Sequence, residues 1–69
     1  MLNQEKKKIL GQQVKKFMKK NDLYFIRNNE KIRKKLKMNQ IELTYALRYL
    51  NKKGYLEPWN AKVFQVSRI

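Results

Sequence analysis

The sequence contains no cysteine and no histidine, and only five of its 69 residues are acidic. It therefore offers no disulfide, no thiolate or imidazole metal ligand, no cysteine nucleophile and no histidine general base. The five carboxylates are scattered without a close pair, which leaves little from which to build a carboxylate-only hydrolytic or two-metal site. We therefore expect a protein that is not an enzyme and that takes no metal, no other cofactor and no small-molecule substrate.

Long apolar runs are also missing, because lysines interrupt the first apolar stretch within a few residues. This pattern predicts neither a secretory signal nor a membrane-spanning segment, so we expect a cytoplasmic protein without a membrane partner. A chain of 69 residues is long enough for one domain with a modest core and too short for a second domain. A single domain over residues 1–69 is the expected organisation.

Positive charge is what the sequence has in excess. Eighteen Lys and Arg residues against five acidic residues give a formal net charge of +13. A charge of this size opposes compaction through self-repulsion and indicates an anionic partner. Nucleic acid, an anionic membrane surface and an acidic protein all satisfy the charge. The remaining interpretation is a lysine-rich surface that only keeps the protein in solution.

Apolar periodicity predicts a first helix over about residues 3–20. Its apolar residues recur at a spacing that places them on one stripe of an α-helix, while lysines occupy the other positions. The stripe contains Ile9, Leu10, Val14, Phe17 and Met18. Asn21 and Asp22 end the helix, and the β-prone run 23–26 follows as a short extended segment whose strand status the sequence leaves open.

A second, short and basic helix is predicted over about residues 29–36. Asn28 or Asn29 caps its start, and Ile32 and Leu36 are buried at an i, i+4 spacing. Only two or three residues separate it from the next helix, which is typical of a helix-turn-helix.

The third helix, over about residues 39–53, has both of its ends marked in the sequence. Asn39 and Glu42 form an Asn-x-x-Glu capping box at the start, and Gly54 ends the helix in the left-handed conformation. The face predicted to pack on the core contains Leu43, Ala46, Leu47 and Leu50.

Two β-prone runs within about residues 55–67 predict a hairpin with Asn60 and Ala61 in a tight turn. Pro58 indicates an edge strand or the approach to the turn. The apolar residues of the second run do not all fit one face of a regular strand. We therefore expect either a bulge or packing of Phe64 on a neighbouring element.

The apolar, capping and glycine positions from the second helix to the hairpin form one continuous pattern. They are Ile32, Leu36, Met38, Asn39, Leu43, Ala46, Leu47, Leu50, Gly54 and Leu56. This pattern resembles, without a gap, the helix-turn-helix and first wing strand of winged-helix DNA-binding domains. The resemblance implies a mainly α (α+β) winged helix-turn-helix fold with three helices and a short two- or three-stranded sheet. Lys37 stands where many members carry Gly, and the hairpin is shorter than in many members.

The resemblance makes the outward face of the third helix the surface that reads bases. The candidate residues on this face are Gln40, Ile41, Thr44, Tyr45, Arg48, Tyr49 and Lys52. Arg48 would pair with guanine and Gln40 with adenine, while Thr44 or Tyr45 would meet thymine methyl groups or phosphate. The alternative is that these are solvated positions on an ordinary surface helix.

Ile41, Tyr45 and Tyr49 are residues that the pattern leaves outside the core, and a chain of 69 residues has few apolar residues to spare. Three uses compete for them. They would touch bases in a groove, stack on unpaired bases, or form an interface with a partner or a second copy.

Cationic and aromatic residues outside the third helix complete the predicted site. Lys34, Lys35 and Lys37 would hold phosphates, because the helix before the recognition helix crosses the DNA backbone. Trp59, with Lys62 nearby, would stack on a base or lie against the sugar-phosphate backbone. Alternatively, the Trp59 ring folds back over the core and covers neighbouring hairpin residues. The lysines of the first helix would supply only long-range attraction.

Three functions remain as hypotheses. The first is a DNA-binding protein of regulatory or architectural type, which holds phosphates with lysine and reads bases with the third helix. The second is a single-stranded-DNA-binding accessory in replication, which is favoured by the Tyr and Trp residues at predicted exposed positions and by the dominance of Lys over Arg. The small size and the Lys- and Asn-rich composition also resemble those of small winged-helix proteins from viruses and mobile elements. The third is an interaction module for a homodimer or for a replication or transcription partner.

Overall fold

The computed structural model describes residues 3–60 and 63–67 of the chain. In chain order, the elements of this part are α1 (Gln4–Lys20), β1 (Phe25–Arg27), α2 (Glu30–Leu36), α3 (Gln40–Lys52), β2 (Leu56–Pro58) and β3 (Val63–Val66). The strands form an antiparallel sheet in the order β1-β3-β2. The predicted α+β architecture of three helices and a short sheet is therefore confirmed for these residues, and the extended segment after α1 is a strand. No helix in the described ranges is long and apolar enough to cross a bilayer.

Asparagine side chains cap the start of each of these helices. The side-chain oxygens of Asn3, Asn29 and Asn39 accept hydrogen bonds from backbone N–H groups three residues further on, at 2.7, 2.8 and 2.8 Å. Glu42 accepts from the backbone N–H of Asn39 at 2.9 Å, which confirms the capping box. Because such a cap contributes about 1 kcal/mol, the three asparagines fix where the helices begin.

Three residues with left-handed backbones lie at or just after the ends of the helices, and the first of them, Asp22 at φ 53°, follows α1. Lys37, at φ 58°, closes α2 and opens the turn into α3, while Gly54, at φ 86°, follows the end of α3 as predicted. The left-handed conformation costs a residue with a Cβ about 1 kcal/mol, so Lys37 keeps the strained backbone that glycine adopts at lower cost. The buried side chain of Met38 follows directly and anchors this turn.

The core lies between α1, α3 and the inner face of the sheet. Its buried side chains are Leu10, Val14, Met18, Ile26, Met38, Leu43, Ala46, Leu47, Leu50 and Leu56. All four residues predicted for the core face of α3 are among them. The spacing of Leu10, Val14 and Met18 by four residues places them on the side of α1 that packs against α3.

Four apolar residues of the helices are less buried than the sequence predicts, and one of them, Phe17, packs against the core but is only partly buried. Ile9 is 44% exposed, because it lies one position, or about 100°, from Leu10 on the side of α1 that turns away from the core. Ile32 and Leu36 pack against the core but are only partly buried, and α2 has no fully buried residue. The prediction of burial is therefore wrong for Ile9 and only partly met for Phe17 and in α2.

The side chains of β3 alternate regularly, so the apolar residues of this strand lie on both faces of the sheet. β3 lies between β1 and β2 and pairs with both in a continuous register, without a bulge in the described pairs. Phe64 and Val66 pack against the core, so the alternation turns Val63 to the outer face. Of the two expected alternatives, a bulge does not occur in the described pairs, whereas Phe64 packs against the core. Pro58 lies in the edge strand β2, as predicted.

The predicted turn between β2 and β3 lies partly outside the described residues. β2 ends at Pro58 and β3 begins at Val63, and Ala61 and Lys62 between them are not among the described residues. The backbone N–H of Trp59 donates to the carbonyl of Val63 at 2.8 Å, and the side chain of Asn60 accepts from the N–H of Val63 at 3.0 Å. These two bonds hold the described part of the turn against the start of β3.

Candidate nucleic-acid interface

The outward face of α3 carries half of the exposed residues of the predicted site within the described ranges. Gln40, Ile41, Arg48 and Lys52 are exposed, and Ile41 is 63% exposed despite its apolar side chain. The opposite face of the same helix is anchored by the four buried core residues. The helix therefore presents amide, apolar and cationic side chains on a rigid support.

Asn28 ties the connection between β1 and α2 to α3. Its Nδ2 donates to the Oγ1 of Thr44 at 2.9 Å and to the carbonyl of Gln40 at 3.1 Å. Its Oδ1 accepts from the guanidinium of Arg33 at 2.6 Å. The Thr44 hydroxyl also donates to the carbonyl of Gln40 at 2.8 Å. The hydroxyl of Thr44 thus already has partners within the protein, where it fixes the position of α3.

A groove lies beside this hydrogen-bonded contact, between α3, the connection from β1 to α2, and β3. Its volume is about 520 Å³. Two arginines, Arg27 and Arg48, line it together with the apolar side chains of Leu47 and Phe64 and the polar side chain of Gln40. A concave surface that combines cations, an amide and an apolar wall suits an anionic ligand that also carries flat apolar groups.

Tyr45 and Tyr49 lie along the seam between α1 and α3 and are partly buried. The Nζ of Lys7 lies 4.7 Å from the centre of the Tyr45 ring. The Tyr49 ring packs so closely on α1 that a Cβ added to Gly11 would lie 2.5 Å from a ring carbon. The prediction that Tyr49 lies outside the core is therefore wrong, since its ring packs against the core cluster.

The lysines predicted to hold phosphates are exposed around the end of α2. Lys34, Lys35 and Lys37 are all on the surface, and Lys34 lies 3.5 Å from the carboxylate of Glu30. Both side chains of this ion pair are about three-quarters exposed, at 77% and 75%, so solvent screens the pair and leaves Lys34 able to exchange partners. The structure thus places three accessible cations next to the start of α3. Lys62 lies outside the described residues.

Trp59 lies on the outer face of the sheet. Its ring is 60% exposed and meets the ring of Phe25 edge-to-face, with 5.6 Å between centroids and an interplanar angle of 75°. The alternative that the ring folds back over the core is therefore wrong. Side chains alternate along β2, in which Leu56 is buried and Pro58 lies opposite Phe64, so the next residue after Pro58 points to the outer face.

Three residues of this surface were missed by the sequence analysis. Arg27 lines the groove, Asn28 bridges it, and Phe25 pairs with Trp59. One signal was present: two adjacent asparagines precede α2, and only one of them is needed as a cap. Nothing local indicates the role of Arg27 or Phe25, because both depend on pairing with a strand far along the chain.

Comparison with known proteins adds no family to this description. No protein-family model, no curated protein and no solved structure matches the chain. The resemblance to winged-helix domains therefore rests on the pattern between Ile32 and Leu56 and on the order of the elements. The functional interpretation therefore depends on the exposed side chains of α3 and of the groove beside it.

Proposed function

We propose that this protein binds double-stranded DNA by placing the outward face of α3 in the major groove. The observation that carries the proposal is the exposure of Gln40, Ile41, Arg48 and Lys52 on a helix whose other face is fixed in the core. α3 has 13 residues, and a helix of that length extends about 20 Å. The major groove of B-DNA is about 12 Å wide and accepts an α-helix.

The exposed side chains of α3 have the chemistry that base edges require. A guanidinium such as that of Arg48 donates two hydrogen bonds to guanine, and an amide such as that of Gln40 pairs with adenine. Ile41 offers an apolar contact to the thymine methyl group. Ile41 and Arg48 lie two helical turns apart on the same face, about 10 Å along the helix, so they reach different base pairs.

Cations next to α3 would hold the phosphates that border the major groove of the DNA. Lys35 and Lys37 are exposed at the end of α2 and in the turn, and Arg27 lines the groove beside α3. Phosphate contacts position a protein on the duplex without reading its sequence. The net charge of +13 adds long-range attraction, which makes the binding strongly dependent on salt.

The same surface is poorly suited to a protein partner. Ile41 is the large apolar residue that α3 exposes, whereas a stable protein interface takes about 800 Å² from each partner and has an apolar centre. Two copies of a chain with a net charge of +13 also repel each other. Charge and side-chain chemistry together favour DNA over a second protein.

Anisotropy titrations of labelled duplexes over a salt series test this proposal, with a preferred site first selected from random duplexes. We expect Arg48→Ala to cost about 1–3 kcal/mol on the preferred site and little on other sequences. Lys35→Ala should weaken all duplexes alike and lower the salt slope by about one.

Lys16→Ala is the matched control, because it removes one exposed charge from α1 and should weaken binding less than Lys35→Ala does. Failure of the unmodified protein to bind duplex at low salt would contradict the proposal. An Arg48→Ala variant that discriminates between sequences as well as the unmodified protein would do so too.

A further inference from the structure

The outer face of the sheet exposes two large aromatic side chains that lie far apart in the sequence. Phe25 in β1 is 50% exposed and Trp59, directly after β2, is 60% exposed. Their rings contact each other edge-to-face at 5.6 Å. The buried core is built from other residues, so these two rings are not needed to fill it. Two of the largest apolar side chains in this chain of 69 residues are therefore exposed on its surface.

Arg27 connects this face with the groove beside α3. In the register of the sheet, Phe25 lies opposite Gln65 and Arg27 lies opposite Val63, so all four side chains belong to the outer face. Arg27 is exposed and also lines the groove that contains Arg48. A strand held at α3 would therefore pass a cation before it reaches the aromatic pair.

We propose that the Phe25–Trp59 pair stacks unpaired bases, so that the protein prefers duplex DNA carrying a single-stranded extension over uniform duplex. This inference rests on the proposed binding of duplex by α3 and adds a second contact surface to it. Stacking on aromatic rings suits unpaired bases of any sequence, because every base has a π face. Paired bases inside a duplex do not offer that face.

Arg27 and the net charge of the chain agree with a nucleic-acid occupant, whereas Glu57 on the same face opposes one. Arg27 is placed for the phosphate that follows a stacked base. Glu57, the acidic residue of β2, has its Oε1 engaged by the side-chain amide of Gln65 at 2.8 Å. The overall charge of +13 favours a polyanion over other apolar ligands.

The size of the surface argues against a protein occupant. A whole aromatic side chain buries about 200 Å², so two half-exposed rings offer on the order of 200 Å² together. A stable protein interface takes about 800 Å² from each partner. The pair is large enough for one or two bases and too small for the centre of a protein interface.

The test compares a blunt duplex, the same duplex extended by a single strand at either end, and the single strand alone. Trp59 is the only tryptophan in the sequence, so its emission reports directly on the pair. We expect a single-stranded extension at one end of the duplex to tighten binding at least about fivefold and to quench the Trp59 emission. A gain of about fivefold corresponds to the smallest contribution expected from one stacked base. Phe25→Ala and Trp59→Ala should abolish this gain and leave blunt-duplex affinity unchanged.

Two further variants separate stacking from general effects. Trp59→Phe keeps a ring and should retain most of the gain. Tyr24→Ala removes a 70% exposed aromatic side chain outside the pair and should retain all of it. The inference would be overturned if a single-stranded extension did not tighten binding by the unmodified protein. It would also be overturned if Tyr24→Ala and Trp59→Ala reduced this gain equally. Self-association that disappears in Trp59→Ala would also overturn it, in favour of a protein contact.

The two proposals fail in distinguishable ways. If the unmodified protein binds the blunt duplex but gains nothing from an extension, only the stacking inference is lost. If it fails to bind the blunt duplex while the single strand binds and quenches Trp59, the α3 proposal and the junction preference are both lost.

Discussion

The two sides of the molecule use aromatic residues in opposite ways. On the helical side, lysine ammonium groups lie 4.7, 5.7 and 4.9 Å from the ring centres of Tyr45, Tyr49 and Tyr55, all three partly buried. On the outer face of the sheet, Phe25 and Trp59 pack on each other and stay half exposed. Cation–π contacts contribute about 0.5–1 kcal/mol each at exposed sites. The tyrosines therefore serve stability, while the sheet pair is left available to a ligand.

The largest effect expected from this contrast is a difference in stability between a core variant and a surface variant. Leu43 is fully buried, so Leu43→Ala should lower the free energy of unfolding by about 2–5 kcal/mol. Trp59→Ala removes a larger side chain but should cost less than about 1 kcal/mol, because the side chain is 60% exposed. Urea unfolding followed by circular dichroism measures both. Equal losses of unfolding free energy in the two variants would contradict the difference between the buried residue and the exposed ring.

The close contact between Gly11 and Tyr49 tests the helical side separately. Gly11→Leu places a side chain where the Tyr49 ring already lies, and we expect a loss of about 1–3 kcal/mol in the free energy of unfolding. Gln12→Leu, one position away on the exposed side of α1, is the matched control and should change stability little. If Gly11→Leu is as stable as that control, the seam between α1 and α3 is not as tightly packed as described.

Variants of the two adjacent asparagines before α2 distinguish an effect on stability from an effect on DNA binding. Asn28→Ala removes the bridge between Arg33 and α3 and should lower both stability, by about 1–2 kcal/mol, and duplex affinity. Asn29→Ala removes the helix cap and leaves the contact between Asn28 and α3 in place, so it should lower stability by about 1 kcal/mol and affinity less than Asn28→Ala does. Thermal unfolding and anisotropy are measured on the same samples. An equal loss of affinity in both variants would refute the positioning role of Asn28.

The smallest expected effect is a gain at the turn between α2 and α3. Lys37→Gly relieves the left-handed backbone at φ 58° and should raise the free energy of unfolding by about 0.5–1 kcal/mol. Lys37→Ala removes the same charge but keeps a Cβ, so it should give no such gain. Denaturant midpoints of the two variants distinguish relief of strain from removal of charge. A gain of equal size in both would assign the effect to charge.

Sequence patterns predicted the helices well because their determinants are local. The asparagine caps, the capping box at Asn39 and Glu42, and Gly54 mark ends within a few residues of where they act. The core face of α3 follows from helical periodicity alone. The same local information misplaced Ile9, because an apolar residue on the edge of a stripe faces the core only if a neighbouring element covers it.

The features that the sequence did not predict depend on contacts between distant segments. The outward position of Trp59 and its partner Phe25 follow from the register of three strands, two of which are only three residues long. The bridge from Asn28 to Thr44 spans 16 positions, and the packing of Tyr49 requires Gly11 on another helix. Periodicity within one element carries no information about such pairs.

An amide NMR titration of the isotope-labelled protein with a duplex oligonucleotide at low salt tests the central claim most directly. The account predicts that the largest shift changes cluster at the exposed residues of α3, Gln40, Ile41 and Arg48, and at Arg27 and Asn28 beside the groove. The exposed side of α1 should change little. Changes confined to α1, or no changes at all, would contradict the assignment of α3 as the DNA-binding surface.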